Sequence, residues 1–266
     1  MILERFWSDF GVFFENYKKM EPELEGQLWG ACVEGKVEEV QQLLQNSQIN
    51  INFQDPFFST TSFYNACCEG QNEVVKLLLT KERIDVNKAD KDGRTPFYVA
   101  CKNGHTEIVT LLLNDQRIDV NKATHNEATP FYIACQEGRI EAVVLLLRDQ
   151  RVDINQARFN GETPFWIACL RGHIEVVGFL LINERVDINK AQSQGVTPFY
   201  VACQEGHIGI VILLLSDQRV DINQAKDDGL TPFFVACQLG HSEVVDALRN
   251  KSNYSIFAAG KLQVGD

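Results

Sequence analysis

The sequence has no long hydrophobic run. Its longest apolar stretch, Ile208–Leu215, falls far short of the roughly 18 residues that a membrane-spanning helix needs, so a soluble chain with no membrane insertion is expected. It is also short of basic residues: 25 Lys and Arg stand against 36 Asp and Glu, a formal net charge of -11. Phosphate binding depends on clustered cations that release counterions, so nucleic acid is not an expected partner. The same excess disfavours an anionic membrane and biases encounters toward a basic protein ligand. An uninterrupted secretory core is missing as well, because Glu4, Arg5, Asp9 and Glu15 break up the apolar residues at the start. The expected location is therefore the cytoplasm, with the nucleus left open. What the chain does have is apolar material, 45% hydrophobic residues against 23% charged, which suits a large continuous core and not a disordered coil.

Eight cysteines are present, and their positions carry more information than their number. Cys32, Cys67, Cys101, Cys135, Cys169, Cys203 and Cys237 mark a regular register, with Cys68 beside the second. Equivalent residues of stacked helix pairs lie about 8–10 Å apart, beyond the roughly 7 Å between Cα atoms that a disulfide tolerates. They are read as reduced, buried and intracellular. The register is set by Thr-Pro at Thr95, Thr129, Thr163, Thr197 and Thr231, each step being 34 residues. A fixed period of that size identifies an array of supersecondary units. Two degenerate copies come first, one with Trp29, Ala31, Cys32 and Gly35 and one with Thr61, Phe63, Tyr64, Ala66, Cys67 and Gly70, which makes seven units.

Each central unit reads as helix, turn, helix and loop. Thr95 is an N-cap, Pro96 fits the first helical position, and Phe97, Ala100 and Cys101 form one apolar stripe before Gly104 ends the helix. Ile108, Leu111 and Leu112 give the second helix a stripe that only a neighbouring unit can bury. Arg117–Asn121 alternates apolar and polar residues and is read as the extended, projecting finger. Glu127 stands where other copies place Gly93, Gly161, Gly195 and Gly229, so a positive φ there makes that finger different.

With these landmarks in place, the units resemble ankyrin repeats, over roughly Gly26–Asn250. The departures are Phe-Tyr after Thr-Pro, Cys for the second Ala, and one extra residue before Asp-Val-Asn. The resemblance implies an all-α solenoid of helix-turn-helix units with hairpin-like fingers, and a protein-interaction role. Three regions are expected: residues 1–25 as an amphipathic capping helix carrying Leu3, Phe6, Trp7, Phe10, Phe13, Phe14 and Tyr17, residues 26–250 as the repeat domain with its first and last units as caps, and residues 251–266 as a flexible tail. Asp246 and Arg249, in the columns of Ile212 and Leu215, are read as the polar outer surface of the last unit.

Chemical sites fare poorly against the repeat. Cys101 and His105, like Cys169 and His173, have a C-x3-H spacing, but each unit supplies at most two of the four donors that zinc requires. Gly30, Gly35 and Lys36 approach a phosphate-binding loop until Val37 takes the place of the hydroxyl that holds magnesium. The Asp221–Ala225 loop starts like a calcium loop and then lacks the third oxygen and the closing Glu, so Asp221 and Asn223 are read as fixing the turn. The sequons at Asn250 and Asn253 have no role in a chain that is not secreted. No catalysis, metal or cofactor is expected.

Variation between copies maps candidate partner contacts. The resemblance to ankyrin domains places such contacts on the concave face formed by fingers and first helices. The fifth copy combines Phe159 on its finger, Trp166 in the Tyr column, and Leu170 with Arg171 at the helix end, the residue types favoured in interface centres. Tyr132, Glu137, Tyr200, Arg94 and His125 extend this candidate surface. The expected function is therefore binding of a partner protein, by a monomer. Alternatives are a structural or self-associating scaffold that uses the aromatic N-terminal segment, and a fragment of a larger signalling protein.

Overall fold

The computed structural model describes residues 23–260, with side chains described as far as residue 251. Among the described residues the regular structure is entirely helical. The chain divides into two compact units, Met1–His125 and Asn126–Asp266. The first holds three helix pairs: α1 (Glu23–Glu34) with α2 (Val37–Leu43), α3 (Ser62–Cys68) with α4 (Asn72–Leu79), and α5 (Pro96–Asn103) with α6 (Thr106–Asn114). The second holds four: α7 (Pro130–Gln136) with α8 (Ile140–Arg148), α9 (Pro164–Arg171) with α10 (Ile174–Leu181), α11 (Pro198–Gln204) with α12 (Ile208–Leu215), and α13 (Pro232–Leu239) with α14 (Ser242–Gly260). Within each unit, first helices pack on first helices and second helices on second helices. The expected N-terminal capping segment lies outside the described residues, apart from the start of α1.

The helix starts follow from the sequence. Thr95, Thr163 and Thr197 hold extended backbone, and each side chain accepts the N–H three residues on, with proline filling the first turn of the helix. Thr61 does the same for Tyr64 without a proline behind it. The first helices are short because they end on left-handed residues. Gly172 has φ 76°, and a Cβ built there would come within 2.8 Å of the His207 ring. That ring lies close because His207 Nε2 meets the Leu170 carbonyl at 3.0 Å, tying one turn to the helix end of the preceding pair. His105, His173 and His241 make the equivalent contact with Cys68, Gln136 and Gln204. Gln71, in the same column, donates instead to the Val33 carbonyl at 2.8 Å. Each repeat histidine is thus a stacking group whose Nε2 faces a backbone carbonyl.

Asparagines make a second ladder. Asn155 donates to the Arg185 carbonyl at 2.7 Å and accepts the Asp187 N–H at 2.8 Å, and Asn189 clamps Arg219 and Asp221 in the same way. In the first unit Asn52 and Asn87 grip the next copy likewise. The core between the pairs is built from Phe63 and Phe97 in the first unit and Phe131, Phe165 and Phe199 in the second, all fully buried. Six of the repeat cysteines are buried beside them. Burial pushes the Cys203 thiol up to about 12.

Several details differ from the sequence reading. Arg117–Asn121 is a turn whose Ile118 and Val120 are buried, so it anchors the loop and does not project. The projecting element is the tight turn that follows the anchor one copy earlier, closed by Asp90 N–H to the Arg94 carbonyl and Gly93 N–H to the Asp90 carbonyl. In α6 the buried set is Ile108, Val109 and Leu112, with Leu111 only half-buried, because the helix turns its apolar stripe by one residue toward α4. Glu127 does take a positive φ of 63°, and Ser59, 34 residues before Gly93, takes 57° in the same column. Helix α14 continues to Gly260, through residues read as a tail, since no proline or glycine interrupts it after Ser242.

The last pair is polar on one helix only. Asp246 and Arg249 are exposed, but so are Cys237, Phe233 at 41% and Phe234 at 51%. These aromatics belong to columns that are buried in α7, α9 and α11 by the pair that follows; no further pair follows α13 and α14 among the described residues. Ile212 is itself exposed, so Asp246 replaces an apolar residue in a column already open to water.

The loops also carry a pH-sensitive feature. Asp115 accepts the Arg117 N–H at 2.9 Å and pairs with its guanidinium at 2.6 Å, while Arg117 reaches back to the Leu79 carbonyl. Asp149 and Asp217 repeat the pairing with Arg151 and Arg219. The hydrogen bonds from these arginines hold all three carboxyls below their ordinary value, against a smaller opposing effect of burial. A carboxyl whose folded value is depressed stabilises the fold above its unfolded value of about 3.9, and that contribution is lost as pH falls through the folded value. Asn183, in the same column, keeps the turn bond to the Arg185 N–H at 3.0 Å without a charge. Urea unfolding of the D115N/D149N/D217N variant between about pH 5 and pH 2 should therefore show a flatter loss of stability than the native chain. Parallel pH profiles would exclude this role.

Candidate functional site

In the second unit the finger between α8 and α9 is closed by Arg158 N–H to the Glu162 carbonyl at 3.0 Å and by Gly161 N–H to the Arg158 carbonyl at 2.8 Å. Phe159 sits at its tip and is 71% exposed. The base is fixed by a polar cluster. Tyr132 donates its hydroxyl to Glu162 Oε2 at 3.1 Å, and Arg158 Nη1 lies 3.3 Å from the same oxygen. The Arg158 guanidinium is 5.5 Å from the Tyr132 ring centre and 5.6 Å from that of Phe159, within cation–π range of both. Burial raises the Tyr132 phenol above its ordinary value, which keeps it a donor. The cluster presents an aromatic ring on a held support.

The other expected contacts of this unit divide by exposure. Arg171 is exposed and Leu170 half-buried, at the C-terminal end of α9. Phe159 precedes the N-terminal end of that eight-residue helix, so the two groups are separated by its length, about 12 Å. Glu137 is half-buried and accepts from Gln136 Nε2 at 2.9 Å. Three residues expected on the contact face are buried instead: Trp166, Tyr132 and Tyr200. Trp166 donates its indole N–H to the Val196 carbonyl at 2.9 Å, so its ring lies beneath the next finger. Tyr200 is likewise packed inside, and burial raises its phenol. At these positions the aromatic column lies beneath the fingers and is closed to solvent.

In the first unit Arg94 is half-buried and committed to acids, with Nε 2.7 Å from Asp90 and Nη2 2.8 Å from Asp92. Asp90 is buried and also accepts the Tyr64 hydroxyl at 2.9 Å. His125 is exposed, donates its backbone N–H to the Asp92 carbonyl, and lays its ring over Gly93. Sequence reasoning missed Phe57 and Phe58, both partly exposed on the finger before α3, with the Lys91 ammonium 5.4 Å from the Phe58 ring centre. Their signal was present. Counting back 34 residues from Gly93 gives Ser59, which places Phe57 in the column of Phe159 three copies later.

Short capped helix pairs, left-handed turn glycines and inter-copy ladders together specify a repeat type. A family model for ankyrin repeats matches three stretches, residues 28–124, 116–192 and 179–258. The chain belongs to the ankyrin-repeat family. A comparison with curated proteins finds no match. Ankyrin repeats generally mediate protein–protein interactions and are typically non-catalytic modules. The ankyrin geometry explains the distribution above: side chains that stack are spent on the neighbouring copy, and those at finger tips are left to solvent.

Among the described residues no three His, Cys, Asp or Glu side chains are grouped to hold a metal. No helix among them is long and apolar enough to cross a membrane.

Proposed function

We propose that this ankyrin-repeat chain binds a partner protein through the finger side of its second unit, with Phe159 as the apolar anchor and Arg171 as a charged contact at the far end of α9. The observation that carries this reading is the exposure of Phe159 on a finger whose base is pinned by Arg158, Glu162 and Tyr132. A rigidly presented aromatic loses little freedom on binding, and aromatic and arginine side chains dominate interface energetics. The net charge of -11 favours a basic partner by electrostatic steering. Unpaired, mostly buried thiols suit a reducing, cytoplasmic setting.

The test compares native chain with the Phe159→Ala/Arg171→Ala variant in an affinity pull-down, after circular dichroism shows equal helicity. A protein held by the native chain and lost by the variant, with affinity reduced at least about tenfold, is the expected result. Retention of the same proteins at equal affinity by both would move the contact away from this finger.

A further inference from the structure

The outer surfaces of the second helices differ between the two units. In the first, the solvent columns hold Asn72, Glu73, Lys76 and Glu107, with Lys76 Nζ 2.7 Å from both Glu73 and Glu107. In the second unit the columns of Asn72 and Lys76 hold Ile140, Val144, Ile174, Gly178, Ile208 and Ile212, while the column of Glu73 and Glu107 keeps Glu141 and Glu175. Ile182 is 78% exposed, and Ile174, Phe179 and Ile212 are all about half exposed. Such a column-wise loss of the lysine and asparagine to apolar residues, beside a retained glutamate column, is more than scattered surface apolarity.

The surface is also indented. Gly178 stands between Val144 and Ile212 in its column and leaves a shallow cavity of about 480 Å3 lined by Ile140, Glu175, Gly178, Phe179 and Ile182. A Cβ at Gly178 would reach no nearer than 4.0 Å from Leu213, so the glycine is not required by packing. It is not required by φ either, since its backbone is ordinary helix. Gly209 replaces the glutamate found at Glu141 and Glu175, and the Ile174 side chain lies over it. Glycine inside a helix costs about 1 kcal/mol against alanine. Two such residues on one face keep it low and apolar.

We infer that this groove on α8, α10 and α12 is a docking site for an amphipathic helix of a partner protein, carrying a bulky apolar residue into the hollow over Gly178 and a Lys or Arg against Glu175. No strand exists among the described residues to be extended by an incoming chain, so docking is by side chains. Charge selects the occupant. Glu141 and Glu175 are exposed at the start of α8 and α10, with Arg148 at the other end of α8. The acidic end calls for a basic residue, whereas a second copy would bring its own net charge of -11.

The experiment uses the full chain and a fluorescein-labelled synthetic helix of about 20 residues, with Leu and Phe at helical spacing and Lys on one flank. Fluorescence anisotropy should show binding to the native chain, at least tenfold weaker binding to Gly178→Ile, whose side chain fills the hollow, and similar weakening by Glu175→Lys. A peptide with Glu in place of Lys should bind at least tenfold more weakly. Phe159→Ala/Arg171→Ala should bind the peptide as the native chain does, which separates this groove from the finger site. Circular dichroism checks the fold of every variant. No binding to the native chain, or equal binding by Gly178→Ile, overturns the inference. So does self-association in sedimentation that Ile182→Asp abolishes, which assigns the face to a second copy, or Ile182-dependent binding to phosphatidylcholine vesicles, which assigns it to lipid.

Discussion

Replacing Trp166 by alanine should destabilise the protein by about 3–5 kcal/mol in urea unfolding, an effect of folding and not of recognition. The ring is 6% exposed and its N–H is bonded to the Val196 carbonyl at 2.9 Å, beneath a finger whose Val196 is itself buried. Alanine removes the packing of a large ring, leaves a cavity and strands a carbonyl. Trp166→Phe keeps most of the volume and gives up the hydrogen bond, so it should cost closer to about 1–2 kcal/mol. Phe159→Ala, at a finger tip, should stay within about 0.5 kcal/mol of the native chain. The pairing decides the role of each aromatic. A Trp166→Ala variant as stable as the native chain would return the residue to the binding surface.

This case shows where legibility ended. Thr-Pro, Gly and the 34-residue period were enough for helix starts, helix ends and pairing, because capping and left-handed φ depend on a few local atoms. The aromatic column was not legible, because its role depends on atoms roughly 30 residues away. Tyr64 reaches Asp90, Tyr132 reaches Glu162, and Trp166 reaches a backbone carbonyl. Where the acid is replaced by Val196, an indole donor bonded to the main chain replaces the phenol. A change from Tyr to Trp that looks like specificity is therefore part of the buried structure. The outer groove was hidden for a different reason: Ile212 and Ile182 stand in the columns of Thr110 and Asn114, outside the Ile108, Leu111 and Leu112 stripe, but the second helices here are apolar on nearly every side, so their exposed face carries no polar contrast. Finger residues Phe57 and Phe58 were hidden because their copy has Ser62 in place of the Thr-Pro proline and Ser59 in place of the finger glycine, and its turn is one residue longer, Asp55 to Thr60 in place of Asp90 to Arg94.

That longer finger rests on one residue. Asp55 is buried and accepts four hydrogen bonds: its Oδ1 takes the N–H groups of Phe57 and Phe58 at 3.0 and 2.7 Å, and its Oδ2 takes the N–H and hydroxyl of Thr60 at 2.7 and 2.6 Å. Asp55→Ala should cost about 3–5 kcal/mol, since it removes the acceptor for three backbone donors and a hydroxyl at once. Asp55→Asn is the informative companion. Both oxygens accept in the native chain, so an amide must turn one NH2 toward a donor, and an intermediate loss of about 1–3 kcal/mol is expected. Amide exchange adds a local readout: the Phe57, Phe58 and Thr60 N–H groups should lose protection in the alanine variant before the helices do. If stability and exchange are both unchanged, the turn is held by its other bonds, among them Gln54 Nε2 to the Ala89 carbonyl at 2.8 Å. If they change together, Asp55 sets the position of two aromatic rings at a finger tip. In that event a buried carboxylate does for Phe57 and Phe58 what the Arg158, Glu162 and Tyr132 cluster does for Phe159.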